Sequence, residues 1–140
     1  MTYERVEIGC ELDLQTATLR CRQFALQAGL PSLAVQRLAT ATSELTRNIY
    51  KYAGGRGLVL LGMTQQAGQA WLQVEVIDNG PGIENLDQAM QDHYSTSGTL
   101  GLGLPGVQRL VDYFEISSEL GVGTHVTIRM RCPTVGIQAR

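Results

Sequence analysis

Residues 57–82 read GLVLLGMTQQAGQAWLQVEVIDNGPG. Two runs of strand character, 57–64 and 70–78, flank Gln65-Gln66-Ala67-Gly68-Gln69, and such runs joined by a short Gly-containing turn form an antiparallel hairpin. Leu72, Val74, Val76 and Asp78 share one parity and project from one face of the second strand. If its three apolar residues face a helix layer, Asp78 faces that layer too, and an ionised carboxylate there must find donors.

Working outward from the hairpin, the pattern changes to a period of 3.6. Residues 3–9 read as an edge strand carrying Tyr3, Val6 and Ile8. Asp13 is placed to cap a helix from Leu14 to Ala28, with Leu14, Ala17, Cys21, Phe24 and Ala28 as its apolar stripe. Gly29 ends that helix, and Pro31 suits the first turn of a second one, Ser32 to Ala53. The second stripe is Val35, Leu38, Thr42, Leu45, Ile49 and Tyr52, and Gly54-Gly55 stops it. Beyond the hairpin the sequence predicts a short helix within 84–91, a mobile Ser/Thr/Gly-rich loop over 92–102 and a helix over 103–112. Strands 113–119 and 124–131 follow, joined by Leu-Gly-Val-Gly, and then a frayed tail from Pro133 to Arg140. Hairpins in place of βαβ crossovers predict an α+β two-layer sandwich, with helices on one face of a mixed, mostly antiparallel sheet.

The 140 residues predict one domain over 1–140, long enough for a real core. A net charge of −2, from 11 basic and 13 acidic residues, leaves no basic excess for a polyanion and argues against a nucleic-acid binder. No apolar run approaches a membrane span, and the N-terminus lacks a signal pattern. Cys10, Cys21 and Cys132 form neither a CxxC pair nor a metal-ligand cluster. A cytoplasmic protein is the expectation, with Cys21 a small core hydrophobe rather than a reactive thiol.

Three constellations carry chemistry. Glu44 and Asn48, four residues apart on the second helix, share a line at the border of core and solvent, and Lys51 continues it. A carboxylate beside an amide oxygen can hold a hydroxyl, a water or Mg²⁺; an ordinary polar face with a Glu44–Arg47 pair has the same spacing. Asp78-Asn79-Gly80-Pro81-Gly82 ends a strand, and the glycines Gly80 and Gly82 would let backbone approach a flat ring. A plain Asp-Asn-Gly turn has the same sequence. Gly98-Thr99-Leu100-Gly101-Leu102-Gly103-Leu104 opens a helix and would offer free N–H groups to an anion. It is neither a Walker A loop nor a Rossmann fingerprint. Thr124, in parity with Val126, Ile128 and Met130, adds a polar group to the inward face.

Taken in order, these motifs resemble the GHKL ATP-binding family with its Bergerat fold. Glu44-x-x-x-Asn48 looks like the N box, Asp78-x-Gly80-x-Gly82 the G1 box, Gly101-x-Gly103 the G2 box and lid, and Gly123-Thr124 the late strand motif. The stretch from Ser43 to Gly54 resembles, more narrowly, the RsbT-type switch serine kinases, small relatives of the anti-sigma-factor kinases. So does Tyr94-Ser95-Thr96-Ser97-Gly98 leading into Gly103-Leu104-Pro105-Gly106-Val107. The resemblance implies ATP and Mg²⁺ as cofactors. Asp78 would accept from the adenine amine, with Thr124 supporting the ring; Asn48 would ligate Mg²⁺; Lys51 would contact phosphate. The glycine-rich run from Gly98, with Gly101, Leu102, Gly103 and Leu104, would close over the terminal phosphates. Glu44 would be the general base toward a serine hydroxyl. The implied partner is a STAS-domain antagonist bearing that serine, with a PP2C-type phosphatase or a sigma factor as a further partner. An anti-sigma factor acting mainly by sequestration, and a GHKL ATPase with no protein acceptor, are the competing functions. His93 and His125 are read as incidental.

Overall fold

The computed structural model describes residues 3–91 and 103–133. The elements in order are β1 (Tyr3–Ile8), α1 (Glu11–Gln27), α2 (Ser32–Tyr52), β2 (Gly57–Gln66), β3 (Gln69–Asp78), α3 (Leu86–Ala89), α4 (Gly103–Leu110), β4 (Tyr113–Glu119) and β5 (Gly123–Arg131). The expected loop over 92–102 and the tail beyond Pro133 lie outside the described residues.

The strands form one sheet in the order β1-β2-β3-β5-β4. All four pairings are antiparallel, so among the described residues the sheet has no mixed character. The deciding hairpin turns through Ala67 and Gly68, whose φ values of 52° and 81° match the right-handed twist of paired strands. Gly57 pairs Asp78 at its far end.

One face of the sheet carries the core. Val59, Leu61, Leu72, Val74, Val76, Val126, Ile128 and Met130 are buried beneath the helices, as parity predicts. Helix α2 supplies Val35, Leu38, Leu45 and Ile49 from one stripe, and Thr42 is fully buried among them. Tyr52, the last member of the expected stripe, is 48% exposed because the helix ends there and the chain turns away at Gly54 and Gly55.

The start of α1 differs from expectation. It begins at Glu11, with Cys10 in the N-cap position and Asp13 inside the first turn. The Asp13 carboxylate reaches back to accept from the Gly9 and Cys10 amides at 2.8 and 3.1 Å, one half of a capping box. The Gly9 bond is the main cause holding the Asp13 carboxyl below the ordinary carboxylate value. Its support of the cap is therefore present above the unfolded pKa and lost as pH falls through the lowered native one.

Cys21 sits at the α1–α2 contact, fully buried, with its sulfur 3.3 Å from the Thr42 hydroxyl. Burial pushes its thiol up to about 11, and burial likewise raises that of Cys132. The exposed Cys10 is the accessible thiol among the three. A disulfide reagent at about pH 8 is expected to label Cys10 promptly, and Cys21 and Cys132 only on unfolding. Prompt labelling of all three in folded protein would contradict this core.

Candidate functional site

Asp78 ends β3 and pairs across to Thr124 at the start of β5. Its Oδ1 accepts from the Gly80 amide at 2.8 Å and from the Thr124 amide at 3.3 Å. Among the described residues no hydrogen bond falls on Oδ2. The carboxylate is thus fixed through one oxygen, and the other is left as an acceptor on the helix side of the sheet.

The two glycines that follow serve the fold in a way the sequence reading did not anticipate. A Cβ on Gly80 would lie 2.6 Å from Ala53 Cα, so this glycine lets the turn pack directly on the end of α2. Gly82 has φ +79°, and a Cβ there would lie 2.4 Å from the Glu119 carbonyl oxygen at the end of β4. Both close approaches are to protein backbone, where the expectation was approach to a flat ring. The Pro81 carbonyl between them accepts from the Gly121 amide at 2.9 Å.

Thr124 does not act alone. Its hydroxyl lies 2.9 Å from that of Ser118, its cross-strand partner on β4. Ser118 Oγ also accepts from the Ile83 amide at 2.7 Å and lies 3.2 Å from the Gly123 carbonyl. Sequence reasoning missed Ser118, although it shares the inward parity of Phe114 and Ile116 and could have been found by that signal.

A depression of about 310 Å³ opens at the same end of the sheet, walled by Ile77, Asn79, Ser117, Val122 and His125 as well as by Asp78, Ser118 and Thr124. Ile77, Ser117 and His125 have the opposite parity to Asp78, and no residue of α2 lines this depression. The depression therefore reaches Asp78, Thr124 and Ser118 from the strand ends and the open side of the sheet, not from α2.

Glu44, Asn48 and Lys51 lie along the second half of α2, the half whose end meets Gly80. Glu44 is largely buried, with its side chain 12% exposed, and Oε1 accepts from Arg47 Nη1 at 3.1 Å. The Glu44–Arg47 pair of the plainer reading therefore exists here, and it occupies one carboxylate oxygen. Asn48 is half-buried one turn further on, and Lys51 is exposed with its ammonium 5.5 Å from the Tyr52 ring centre. Glu44 and Asn48 are hard oxygen donors on one helix line. This suits Mg²⁺, which takes few protein ligands and keeps its waters and phosphate oxygens. Among the described residues no group of three or more His, Cys, Asp or Glu could hold a metal by itself.

Gly103 opens α4 with φ +70°, and Leu104 behind it is buried, so its side chain anchors the helix in the core. What Leu104 can offer a ligand is backbone. Gly98, Gly101 and Leu102, and with them His93, lie outside the described residues. His125 is on the opposite sheet face, 2.8 Å from Glu75.

This arrangement of a helical layer on an antiparallel sheet has known counterparts. Residues 34–134 match the family described as histidine kinase-, DNA gyrase B- and HSP90-like ATPases, and the chain belongs to that family. Within it, the chain is 41% identical over 121 residues to the serine/threonine-protein kinase RsbT of Bacillus subtilis (strain 168), covering 86% of this chain and 90% of that protein. An anti-sigma F factor from Thermoanaerobacter sp. (strain X514) is 31% identical over 108 residues, 74% of each chain. Two solved structures share the fold. The RsbU and RsbW domains of a Mycobacterium tuberculosis protein superpose with a TM-score of 0.66 at 17% identity, over 94% of this chain and 33% of that one. The mycobacterial sensor histidine kinase MprB gives 0.58 at 16% identity, over 94% and 98%. No helix among the described residues is long and apolar enough to cross a membrane.

Removing the Ser118 hydroxyl tests the strand-end network. Ser118→Ala leaves the Ile83 amide without its 2.7 Å acceptor and should lower stability by about 1–3 kcal/mol, the cost of an unpaired polar group. A urea titration giving wild-type stability would show that Ser118 holds nothing in place.

Proposed function

We propose that the chain, acting as one nucleotide-binding unit, is an ATP-dependent protein-serine kinase whose acceptor is a serine on a STAS-domain antagonist protein. The observation that carries the reading is Asp78, fixed through Oδ1 by two backbone amides with Oδ2 left to accept. An exocyclic amine supplies the donor such an oxygen lacks, and adenine carries one. Thr124 and Ser118, bonded to each other beside it, hold the adjoining polar edge. The resemblance to RsbT and to anti-sigma F factors supports both the kinase chemistry and the partner-switching setting. By the same likeness a PP2C-type phosphatase or a sigma factor is the second partner.

The chemistry is transfer of the γ-phosphoryl group to a serine hydroxyl. The serine oxygen bonds to the γ-phosphorus, the bridging oxygen departs with ADP, and the serine proton passes to Glu44. Phosphoryl transfer of this kind needs chiefly positioning and charge neutralisation. Arg47 holds Oε1 of Glu44 at 3.1 Å and so orients the carboxylate, leaving Oε2 to take the proton. Asn48 would hold Mg²⁺, which neutralises phosphate charge when bound. Lys51, on the same helix line, reaches phosphate once it leaves Tyr52, a contact worth only about 0.5–1 kcal/mol at an exposed site. Gly103 and the backbone of Leu104 lie at the start of α4, where N–H groups face a terminal phosphate. The parts played by Gly98, Gly101 and Leu102 in closing over that phosphate belong to the same proposal.

Asp78→Asn keeps an Oδ1 for the Gly80 and Thr124 amides but turns a donor toward the adenine amine. ATP affinity should fall by about 1–3 kcal/mol while the protein stays folded, read by calorimetry. Unchanged affinity in folded protein would remove the adenine-anchor role.

Glu44→Ala should still bind nucleotide but lose phosphoryl transfer by about 10²–10⁴-fold, the usual contribution of a general base. Asn48→Ala should lose Mg²⁺-dependent affinity as well. The measurement is transfer of labelled phosphate from ATP to purified STAS-domain proteins. Label on a serine supports the kinase reading. Full-rate transfer by Glu44→Ala would refute the base, and rapid ATP turnover with no phosphoprotein would refute the kinase.

A further inference from the structure

Three polar groups meet the Ser118 hydroxyl, and its single proton has two places to go. The Ile83 amide donates to Oγ at 2.7 Å, the Gly123 carbonyl lies at 3.2 Å and the Thr124 hydroxyl at 2.9 Å. A hydroxyl gives one proton and accepts through two lone pairs. Ile83 takes one of the Ser118 lone pairs in every case. The Ser118 proton then goes either to Thr124 or to Gly123. Gly123 is held close to this cluster, because it packs so tightly on the Asp78 carbonyl that no Cβ would fit there.

The two choices give Thr124 opposite characters. When Ser118 donates to Thr124, the Thr124 hydroxyl keeps its own proton for a ligand and acts there as a donor. When Ser118 donates to Gly123, its second lone pair accepts from Thr124. Thr124 then offers a ligand lone pairs alone and acts as an acceptor. Two hydroxyl hydrogens rotate between these arrangements and no heavy atom moves, so the hydrogen-bonded chain reverses at little cost. Asp78 has no such freedom. An ionised carboxylate only accepts, and the Gly80 and Thr124 amides fix it through Oδ1.

We infer that Ser118 is a positioning residue that lets Thr124 meet a base edge as donor or as acceptor, so that selection of the base rests on Asp78 and its demand for an amine. The inference rests on the reading of this site as an adenine pocket. Adenine has acceptor ring nitrogens on both sides of its amine and draws out the first arrangement. A base whose amine stands beside a ring N–H draws out the second. Without the Ser118 hydroxyl the second arrangement fails. Thr124 would still accept from the ring N–H, but its own proton has lost the acceptor that Ser118 supplied, and a base lying over it keeps water away. The class of ligand accepted is therefore nucleotides with an exocyclic amine beside either kind of ring nitrogen. A Ser118 that served only as a strut between Ile83 and Gly123 would, on removal, weaken both kinds of base alike.

The probes are two ATP derivatives that turn one ring nitrogen beside the amine into an N–H, 2-oxo-ATP on one side and 8-oxo-ATP on the other. Each has a control of similar shape that leaves that nitrogen an acceptor, 2-chloro-ATP and 8-bromo-ATP. Calorimetry on the full chain reads the affinity ratio of each derivative to its control. In the wild type each derivative should bind within about threefold of its control, since the relay supplies either partner. Ser118→Val should worsen the ratio by about tenfold or more for one of the two pairs, the effect of one hydroxyl proton left without an acceptor. Ser118→Thr, which has the shape of valine and keeps a hydroxyl, should restore the wild-type ratio. Ser118→Ala should repeat the valine result without the added bulk. Loss of the Ile83 bond acts on every nucleotide alike and cancels in the ratio. A wild type that disfavours either derivative by more than about tenfold against its control overturns the inference. So do valine and alanine variants that shift neither ratio, or a threonine variant that behaves as valine does. A wild type that binds ATP with these unshifted ratios loses this inference alone, whereas one that binds neither ATP nor any derivative loses the adenine reading and this inference with it.

Discussion

One carboxylate oxygen ties the working end of this molecule together. Asp78 Oδ1 accepts from the amide of its own turn, at Gly80, and from the first inward residue of the neighbouring strand, Thr124. Around that pair of bonds the turn packs on Ala53 of α2 through Gly80 and on Glu119 of β4 through Gly82. Four elements therefore converge on the one turn that this side chain braces. Amide bonds to an ionised acceptor are about twice as strong as neutral ones, and here they are made by the fold itself. Oδ2 is consequently held in position before any ligand arrives, which is the condition for recognising a single amine at a small entropic cost.

The parity argument on residues 70–78 predicted that Asp78 would face the helix layer, and the burial of Leu72, Val74 and Val76 agrees with it. Both hairpins and both long helices were legible for the same reason, since each rests on a local period and a local stop signal. What was not legible depended on non-local backbone contact. Nothing in Asp-Asn-Gly-Pro-Gly tells that Gly80 meets Ala53 and Gly82 meets Glu119, because those neighbours are far away in sequence. Asp13 was misplaced for a subtler reason. An aspartate at N-cap and one at the third helical position both reach free amides within the first turn, and only Gly9 and Cys10 as donors decide between them. Ser118 carried its signal in parity alone, without a motif to draw attention to it.

On α2 the charged groups assigned to catalysis rest on local helix partners: Glu44 on Arg47, Lys51 on Tyr52. Arg47 is half-exposed, and exposed pairs of this kind contribute only about 0–1 kcal/mol. Such contacts limit the rotamers of Glu44 and Lys51 without committing either to one geometry. Lys51 can exchange its weak neighbour for a phosphate with little change in energy, whereas Glu44 can keep Arg47 on Oε1 and still offer Oε2. The plain helix-pair reading and the proposed catalytic role of Glu44 are thus compatible: the first describes how the carboxylate is held, the second what its free oxygen would do.

The two outer faces of the sandwich differ in how well their own groups satisfy one another. On the open side of the sheet, Gln73 donates to Tyr3 and Glu75, Arg129 donates to Gln73 and lies 4.4 Å over the Tyr113 ring, and His125 meets Glu75. Tyr113 donates to Glu115, and that bond is the main reason its phenol titrates above the ordinary value. This lattice matches most of the polar groups on that face, and among the described residues the buried Trp71 Nε1 is the exception, without a hydrogen-bond partner. On the outside of the helix layer, Leu12, Leu19, Leu26 and Leu33 have no such matching, and contact with another apolar surface removes them from water at no loss of hydrogen bonds. The same amino-acid sequence thereby covers one face of the sandwich with a polar lattice and leaves separate exposed leucines on the other.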